Sequence, residues 1–493
     1  MRRRLPCRTV SVPAAALMLA GCASMAPPLT LPEPPVPAEF PMANPAVEAG
    51  APASAAGLAW SEAFPDPQLH ALIELALAHN RDLRAAALRV QEAQAQRRIQ
   101  GAEAWPAVGA SIDTQRARVP GDLNVSGQSI VSSQYRVGLG LADWELDFWG
   151  RVRSLDDAAL QNEMASAEAW RAATLSIVGQ AVQGWLALRE LDERLLLARE
   201  AVDSRNESLR IFTRRVEVGA ISRLDLAQVR VLAEQARALR AQLAQQRAQQ
   251  ANALALLVGA PLPPTIAEAP ADTRLPERVV APVAAGLPSQ LLADRPDIAL
   301  AEHQLRAANA SIGAARAAFF PRIALTGSLG TASAELEHLF HSGSRAWTFA
   351  PSVSLPLFTA GRLRASLDLA ELRRDMAVAA YEKAIQSAFR DVADALAARR
   401  WLADQLMVQR DALAAQSERA RLARLRYDAG SAAFLEVLDA QRDLLAAEQQ
   451  RVQTQRALLS SQVALYTALG GGSRVLAAVG ASLVPDRSVR LLR

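Results

Sequence analysis

Residues 135–151 read YRVGLGLADWELDFWGR, and that stretch decides the architecture. Tyr135, Val137, Leu139 and Leu141 alternate with Arg136, Gly138, Gly140 and Ala142, the period-two pattern of a strand with one apolar face. From Gly150-Arg151 onward the spacing turns helical. Residues 347–362, WTFAPSVSLPLFTAGR, repeat the device, with Trp347, Phe349, Val353, Leu355 and Leu357 on one face before Gly361-Arg362. Each run has an upstream companion. Val108, Ala110 and Ile112 alternate with Gly109, Ser111 and Asp113, after a helical pattern from about Arg81 to Trp105-Pro106; Ile323, Leu325 and Leu329 do the same in the second half. Runs of about ten residues have the length of membrane-spanning strands. Trp105, Trp144, Trp149 and Trp347 flank them, as interfacial tryptophans do. Alternation by itself fits a water-soluble sheet with one buried face equally well.

The chain is a duplication. Asp82 and Pro106 match Asp297 and Pro321 at a shift of 215, and Gly150, Gly219 and Gly259 match Gly361, Gly430 and Gly470 at 211. Constant register over two long stretches marks a tandem repeat. Each half reads helix, strand, strand, long helix, long helix. The repeats are expected at residues 60–260 and 289–472, joined by a proline-rich linker at 261–288, with a tail at 473–493. From Gly361 to about Tyr427 nothing breaks the helical pattern, which is roughly 100 Å of helix. Leu438, Leu445, Val452, Leu459 and Tyr466 then recur every seven residues, beside Val437, Leu444, Leu458 and Leu465. A strict heptad implies left-handed supercoiling, and two adjacent seams imply neighbours on both flanks.

The N-terminus supplies the context. Arg2, Arg3, Arg4 and Arg8 precede an apolar stretch from Val10 to Ala20, then Leu19-Ala20-Gly21-Cys22. This is an export signal over residues 1–21 that ends like a lipobox, with Cys22 as the lipidated residue. Ala23 rather than aspartate follows, implying sorting to the outer membrane. Residues 22–59 read as a lipid-anchored tether, since nine prolines between Pro27 and Pro52 cannot build a core. The four signal arginines account for the whole formal excess of +4, so the pI of about 9.5 gives nucleic-acid binding no support. No apolar run of about 18 residues follows Cys22, so any bilayer crossing is by strands. Four strands cannot close a barrel, and lipid tolerates no open edge, so the chain must assemble.

Lipobox, tether, duplicated halves and hairpins tipped by glycine together resemble the TolC-like outer-membrane factors, and within them the lipoprotein efflux branch. The resemblance covers nearly all of residues 60–475. It is sharpest at Phe320-Pro321-Arg322-Ile323, at Leu357-Phe358 with Gly361-Arg362, and from Gly430 through Leu435-Glu436-Val437-Leu438-Asp439-Ala440-Gln441. It implies a mainly α chain with transmembrane β: a homotrimer with a twelve-stranded β-barrel, four strands per chain, continued by a long α-helical barrel. It implies a passive duct exporting drugs, dyes or similar small molecules, working with a periplasmic adaptor and an inner-membrane RND-type pump and using no cofactor. On the match at Gly430, Arg426 and Tyr427 fall on gate-linking positions and Glu436 and Asp439 on gate carboxylates. Threefold repetition would ring the lumen with negative charge and favour cations. Asp225, opposite Glu436 in the repeat register, is placed on the companion hairpin. The turns Val218-Gly219-Ala220 and Ala429-Gly430-Ser431 are the implied adaptor-docking tips. Ala432 stands where one family member has an arginine, which leaves the closing bonds open.

Two other classes are weighed. A periplasmic coiled-coil scaffold or adaptor lipoprotein explains the heptads but not the strands. A lipid-anchored enzyme needs a catalytic cluster, and the sequence has no phosphate-binding loop, nucleophile elbow or metalloprotease signature. His338 and His341, the one close histidine pair, read as a surface loop rather than a metal site.

Overall fold

The computed structural model describes residues 24–40, 55–125, 127–268, 274–283 and 288–475. The export signal and Cys22 lie outside them. The first repeat contains α1 (Pro67–His79), α2 (Arg81–Ala102), β1 (Val108–Val119), β2 (Ile130–Glu145), α3 (Arg151–Glu217) and α4 (Arg223–Val258). The second contains α5 (Pro288–Asp294), α6 (Pro296–Ala317), β3 (Arg322–Ser333), β4 (Arg345–Ser354), α7 (Arg362–Asp428) and α8 (Phe434–Ala468). Helices α3 and α7 have 67 residues each, and their ends match at the shift of 211 read from the sequence. Helices α2 and α6 have 22 each and match at 215.

The duplication extends to individual bonds. Asn80 donates from Nδ2 to the Leu257 carbonyl at the end of α4, at 2.6 Å. Its repeat mate Arg295 donates from Nη1 to the Ala468 carbonyl at the end of α8, at 2.9 Å. Both satisfy a carbonyl that the helix end leaves unpaired.

Two compact units divide the chain, and each draws on both repeats. The first takes Arg89–Ser166, Leu300–Tyr381 and the N-terminal residues to Glu33. Its centre is an antiparallel sheet in the order β1-β2-β3-β4. Ala110↔Leu139↔Leu329↔Trp347 is one row of partners, and alternation puts Val108, Ile112, Val137 and Phe349 on that same face. The opposite face carries Gly109, Ser111, Asp113, Gly138, Gly140, Ser328, Gly330 and Thr348. Gly138 and Gly330 are register partners. A Cβ on Gly330 would lie 2.1 Å from the Val137 carbonyl oxygen, so this face must be small for the strands to approach.

Strand β2 is kinked between Leu141 and Trp144, where Asp143 takes φ 50°. Arg322 holds the kink, with Nη2 2.9 Å from Asp143 and Nε 2.9 Å from Glu145. Pro351 sits in β4, an edge strand, where its missing N–H costs no ladder bond. Strand β4 ends at Ser354, which corrects the expectation that it reaches Leu355 and Leu357. Pro356 cannot donate to a ladder, and Ala360 and Gly361 turn the chain with positive φ. Of the four tryptophans, Trp105 and Trp347 are exposed. Trp149 instead donates to the Pro321 carbonyl at 2.7 Å and stacks on Phe320.

The second unit takes Pro34–Leu88, Ala167–Ala299 and Glu382 onward. Leu438, Leu445, Val452, Leu459 and Tyr466 are all buried, as a heptad seam requires. A polar belt crosses its middle. Arg194 donates to Gln449 at 2.7 Å, Arg456 to Glu190 at 2.9 Å, and Arg451 to Glu193 at 2.5 Å, tying α3 to α8. Glu193 also accepts from the Leu275 amide at 2.8 Å, which pins the inter-repeat linker. Asp192, nearly fully buried, accepts from Arg247 at 2.5 Å. Burial pushes its carboxyl above the ordinary value, and the arginine only partly offsets this.

The described part of the tether is extended but not free. In the first unit, Pro27 accepts from Asn309 Nδ2 at 2.9 Å, and Gly313 leaves room for Ala26. In the second, Phe40 is buried against Phe389 at 5.1 Å. A proline-rich segment lacks backbone donors, so side chains of the folded body anchor it.

Candidate functional site at the paired hairpin tips

Helices α3 and α4 form one hairpin and α7 and α8 the other, and the tips of both lie in the second unit. Each tip is closed by a left-handed glycine, Gly219 at φ 72° and Gly430 at φ 71°. The following amides reach back five residues, Ala220 to the Arg215 carbonyl at 2.8 Å and Ser431 to that of Arg426 at 2.9 Å. This is the Schellman ending, which needs a residue without a Cβ penalty. Val218, Gly219, Ala220, Ala429, Gly430 and Ser431 are all exposed.

Just behind the turns the two hairpins are joined by an aromatic cluster. Phe212 of α3 and Phe434 of α8 have ring centroids 4.3 Å apart, and Tyr427 of α7 lies 4.8 Å from Phe434. Phe212, Val229 and Leu438 form its buried centre. Above it, Tyr427 Oη accepts from Arg215 Nη1 at 2.6 Å, and the Arg215 guanidinium lies over the Phe212 ring at 5.7 Å.

The carboxylates near the tips all have local partners. Glu436 Oε2 is 2.9 Å from Arg426 Nη1, within one hairpin. Asp439 is 3.3 Å from Arg442 Nη1. Asp443, one turn on, is held by Arg419 and Arg442, whose hydrogen bonds keep its carboxyl below the ordinary value. Asp225 caps its own helix: Ser222 Oγ accepts from the Asp225 amide at 3.1 Å and donates to its Oδ2 at 2.7 Å.

Of the sequence candidates, the structure brings Tyr427 onto the other hairpin and Arg426 onto Glu436, while Asp439 and Asp225 serve their own helices. The residue the sequence reading missed is Arg215. The repeat register already contained it, because Arg215 is the mate of Arg426 at a shift of 211.

A family model described as outer membrane efflux protein matches residues 72–260 and 287–471, one segment for each repeat. The chain belongs to this family. It is 44% identical over 464 residues to the solvent efflux pump outer membrane protein SrpC of Pseudomonas putida, covering 94% of this chain and 98% of that one. It is 43% identical over 477 residues to outer membrane protein OprJ of Pseudomonas aeruginosa, at 95% and 97% coverage. The open-state MtrE outer membrane channel of Neisseria gonorrhoeae superposes with a TM-score of 0.81 at 40% identity, over 91% of this chain and 98% of that one. Among the described residues no helix is long and apolar enough to span.

Proposed function

We propose that this outer membrane efflux protein is the passive exit duct of a tripartite pump. Three copies would share one twelve-stranded barrel. The long helices would continue it as a tunnel through the periplasm, and the tip cluster would be the gate.

One observation carries the reading: the sheet is open at both edges and bare on its apolar face. Strands β1 and β4 each pair on one side only, and Val108, Ile112, Leu329, Trp347, Phe349 and Val353 are exposed. An isolated sheet of that kind is unstable in lipid, and closure by further copies removes both defects. Cys22 would carry the lipid that holds the assembly in the outer membrane.

At the tips, Arg215–Tyr427 and Phe212–Phe434 would hold the two hairpins together in the closed state. Arg426–Glu436 stays inside its hairpin and would travel with it. The lumen would feel Glu436 and Asp439 with their arginine partners, so its cation preference is the residual of paired charges. The exposed residues Val218–Ala220 and Ala429–Ser431 would receive the periplasmic adaptor, and an inner-membrane RND-type pump driven by protons would supply the energy. Relatives named for solvent, toluene and antibiotic efflux support small organic molecules as cargo.

The test is the mass of the outer-membrane protein extracted in detergent, by light scattering corrected for bound detergent. Three chains per particle are expected. A monomer released into buffer once Cys22 is replaced would mean that the strands never enter a bilayer, and would favour the periplasmic scaffold.

A further inference from the structure

We propose that Arg116, Arg118 and Arg345 form a binding site for the phosphates of an outer-leaflet glycolipid. The inference rests on the barrel reading above, which turns the apolar face of the sheet toward lipid.

Strand alternation places all three arginines on that face. Arg116 and Arg118 continue the Val108, Ala110, Ile112 series of β1, and Arg345 begins the Trp347, Phe349 series of β4. They occupy the end of the sheet farthest from the helices. Arg118 pairs with Val131 beside the β1–β2 turn, and Arg345 is the first residue of its strand. All three are exposed. Among the described residues none has a carboxylate within salt-bridge distance, and the one polar side-chain contact is a weak one, Arg118 to Ser129 Oγ at 3.4 Å.

No acid occupies a strand position of this face at this end, although Asp122 and Glu337 stand in the adjoining turns. Its other strand positions are Thr114, Val131, Ser133, Tyr135, Thr331 and Ser333. Asp113 points to the opposite face, where it accepts from Ser111 at 2.8 Å, and Glu335 lies in the loop beside His338.

Depth sets the energetics. An arginine on a barrel's lipid face is costly at mid-bilayer and far less so near the interface. Tyr135 and Trp347 mark that interface. A basic side chain is attracted to an anionic headgroup layer, and guanidinium matches phosphate oxygens two at a time. Strands β1 and β4 are the two free edges of the sheet. Closure of the barrel therefore sets β4 of one copy beside β1 of the next, which gathers the three arginines at one seam. The occupant we commit to is the phosphorylated glycolipid of the outer leaflet.

The experiment reconstitutes the full chain in nanodiscs and counts retained glycolipid per oligomer by native mass spectrometry. The probes are bis-phosphorylated lipid A and its dephosphorylated counterpart. The wild type should retain the phosphorylated form at least about tenfold better. The variant R116Q/R118Q/R345Q should fall to the dephosphorylated level, R345Q alone should fall part-way, and R223Q/R230Q on α4 should match the wild type. Equal retention by the triple variant, or of both lipids by the wild type, overturns the site. Displacement by millimolar inorganic phosphate with no preference for lipid would make it a free-phosphate site and overturn the lipid assignment. An assembled oligomer without lipid preference fails this inference alone, whereas a chain that never assembles fails the barrel reading with it.

Discussion

The two hairpin tips began as copies and now use the same positions for different work. In the first, Ser222 and Asp225 bond reciprocally and close the start of α4. In the second, the matching pair is Ala433 and Glu436, and α8 starts without a side-chain cap. Losing the serine leaves the carboxylate unclaimed, and Arg426 takes it at 2.9 Å. The arginines diverge in the same way: Arg215 reaches across to Tyr427, while its mate Arg426 stays at home. One tip is therefore internally finished, and the other depends on its neighbour. In a gate, the second is the tip expected to move.

The largest effect that would break this comparison is removal of the shared aromatic centre. Phe212→Ala empties a buried site against Phe434 and should cost about 3 kcal/mol locally. Hydrogen exchange should then rise at both tips, and channel conductance in planar bilayers should increase. Protection lost at the first tip alone would mean that the cluster does not join them.

Next comes the cross-hairpin bond. Tyr427→Phe keeps the ring and removes only the acceptor of Arg215, at a cost of about 1 kcal/mol. It should free the second tip while leaving protection at Ser222–Asp225 unchanged. Ser222→Ala should do the reverse, fraying the start of α4 by about 1 kcal/mol with little change in conductance. If the two variants gave the same exchange pattern, the tips would not be specialised.

A gain-of-function swap sharpens the point further. Ala433→Ser restores the cap that the first repeat retains and should draw Glu436 away from Arg426. Helix α8 should gain about 0.5–1 kcal/mol at its start, and the cation preference of single channels should shift. Unchanged selectivity alongside a stabilised helix would show that Arg426–Glu436 does not face the conduction path.

How legible this was in the sequence differs between fold and site. Periodicity carried the fold: period two at Tyr135–Leu141, period seven from Leu438 to Tyr466, and a repeat register that holds to the residue. The strand end at Ser354 was missed because alternation counts side chains, whereas Pro356 acts through a missing donor. The site was half visible. Glu436 and Asp439 were found as residue types at a marked turn, but whether a carboxylate caps, pairs or stands free depends on which donor arrives first. For Asp225 that donor was Ser222, three residues away and readable as a capping box. For Tyr427 it was Arg215, 212 residues away, visible only by carrying Arg426 through the repeat.

The smallest effect concerns α3 and α8 above the tips, where one like-charge contact opposes the polar belt that ties the two helices. Glu448 of α8 is half-buried, and burial together with the nearby Glu200 carboxylate of α3 raises its pKa, with Arg451 opposing. A carboxyl whose folded value is raised contributes stability that is complete below its ordinary value and is lost as pH climbs through the raised one. At neutral pH, then, this contact pushes the hairpins apart while Arg215–Tyr427 holds them together. Glu448→Gln removes the repulsion and should stabilise by less than about 1 kcal/mol near pH 7.5, with the gain shrinking toward about pH 4.5. Thermal midpoints at the two pH values read the difference. A gain independent of pH would trace the effect to packing and leave the tip contacts and the α3–α8 polar belt as the polar control on how far the hairpins part.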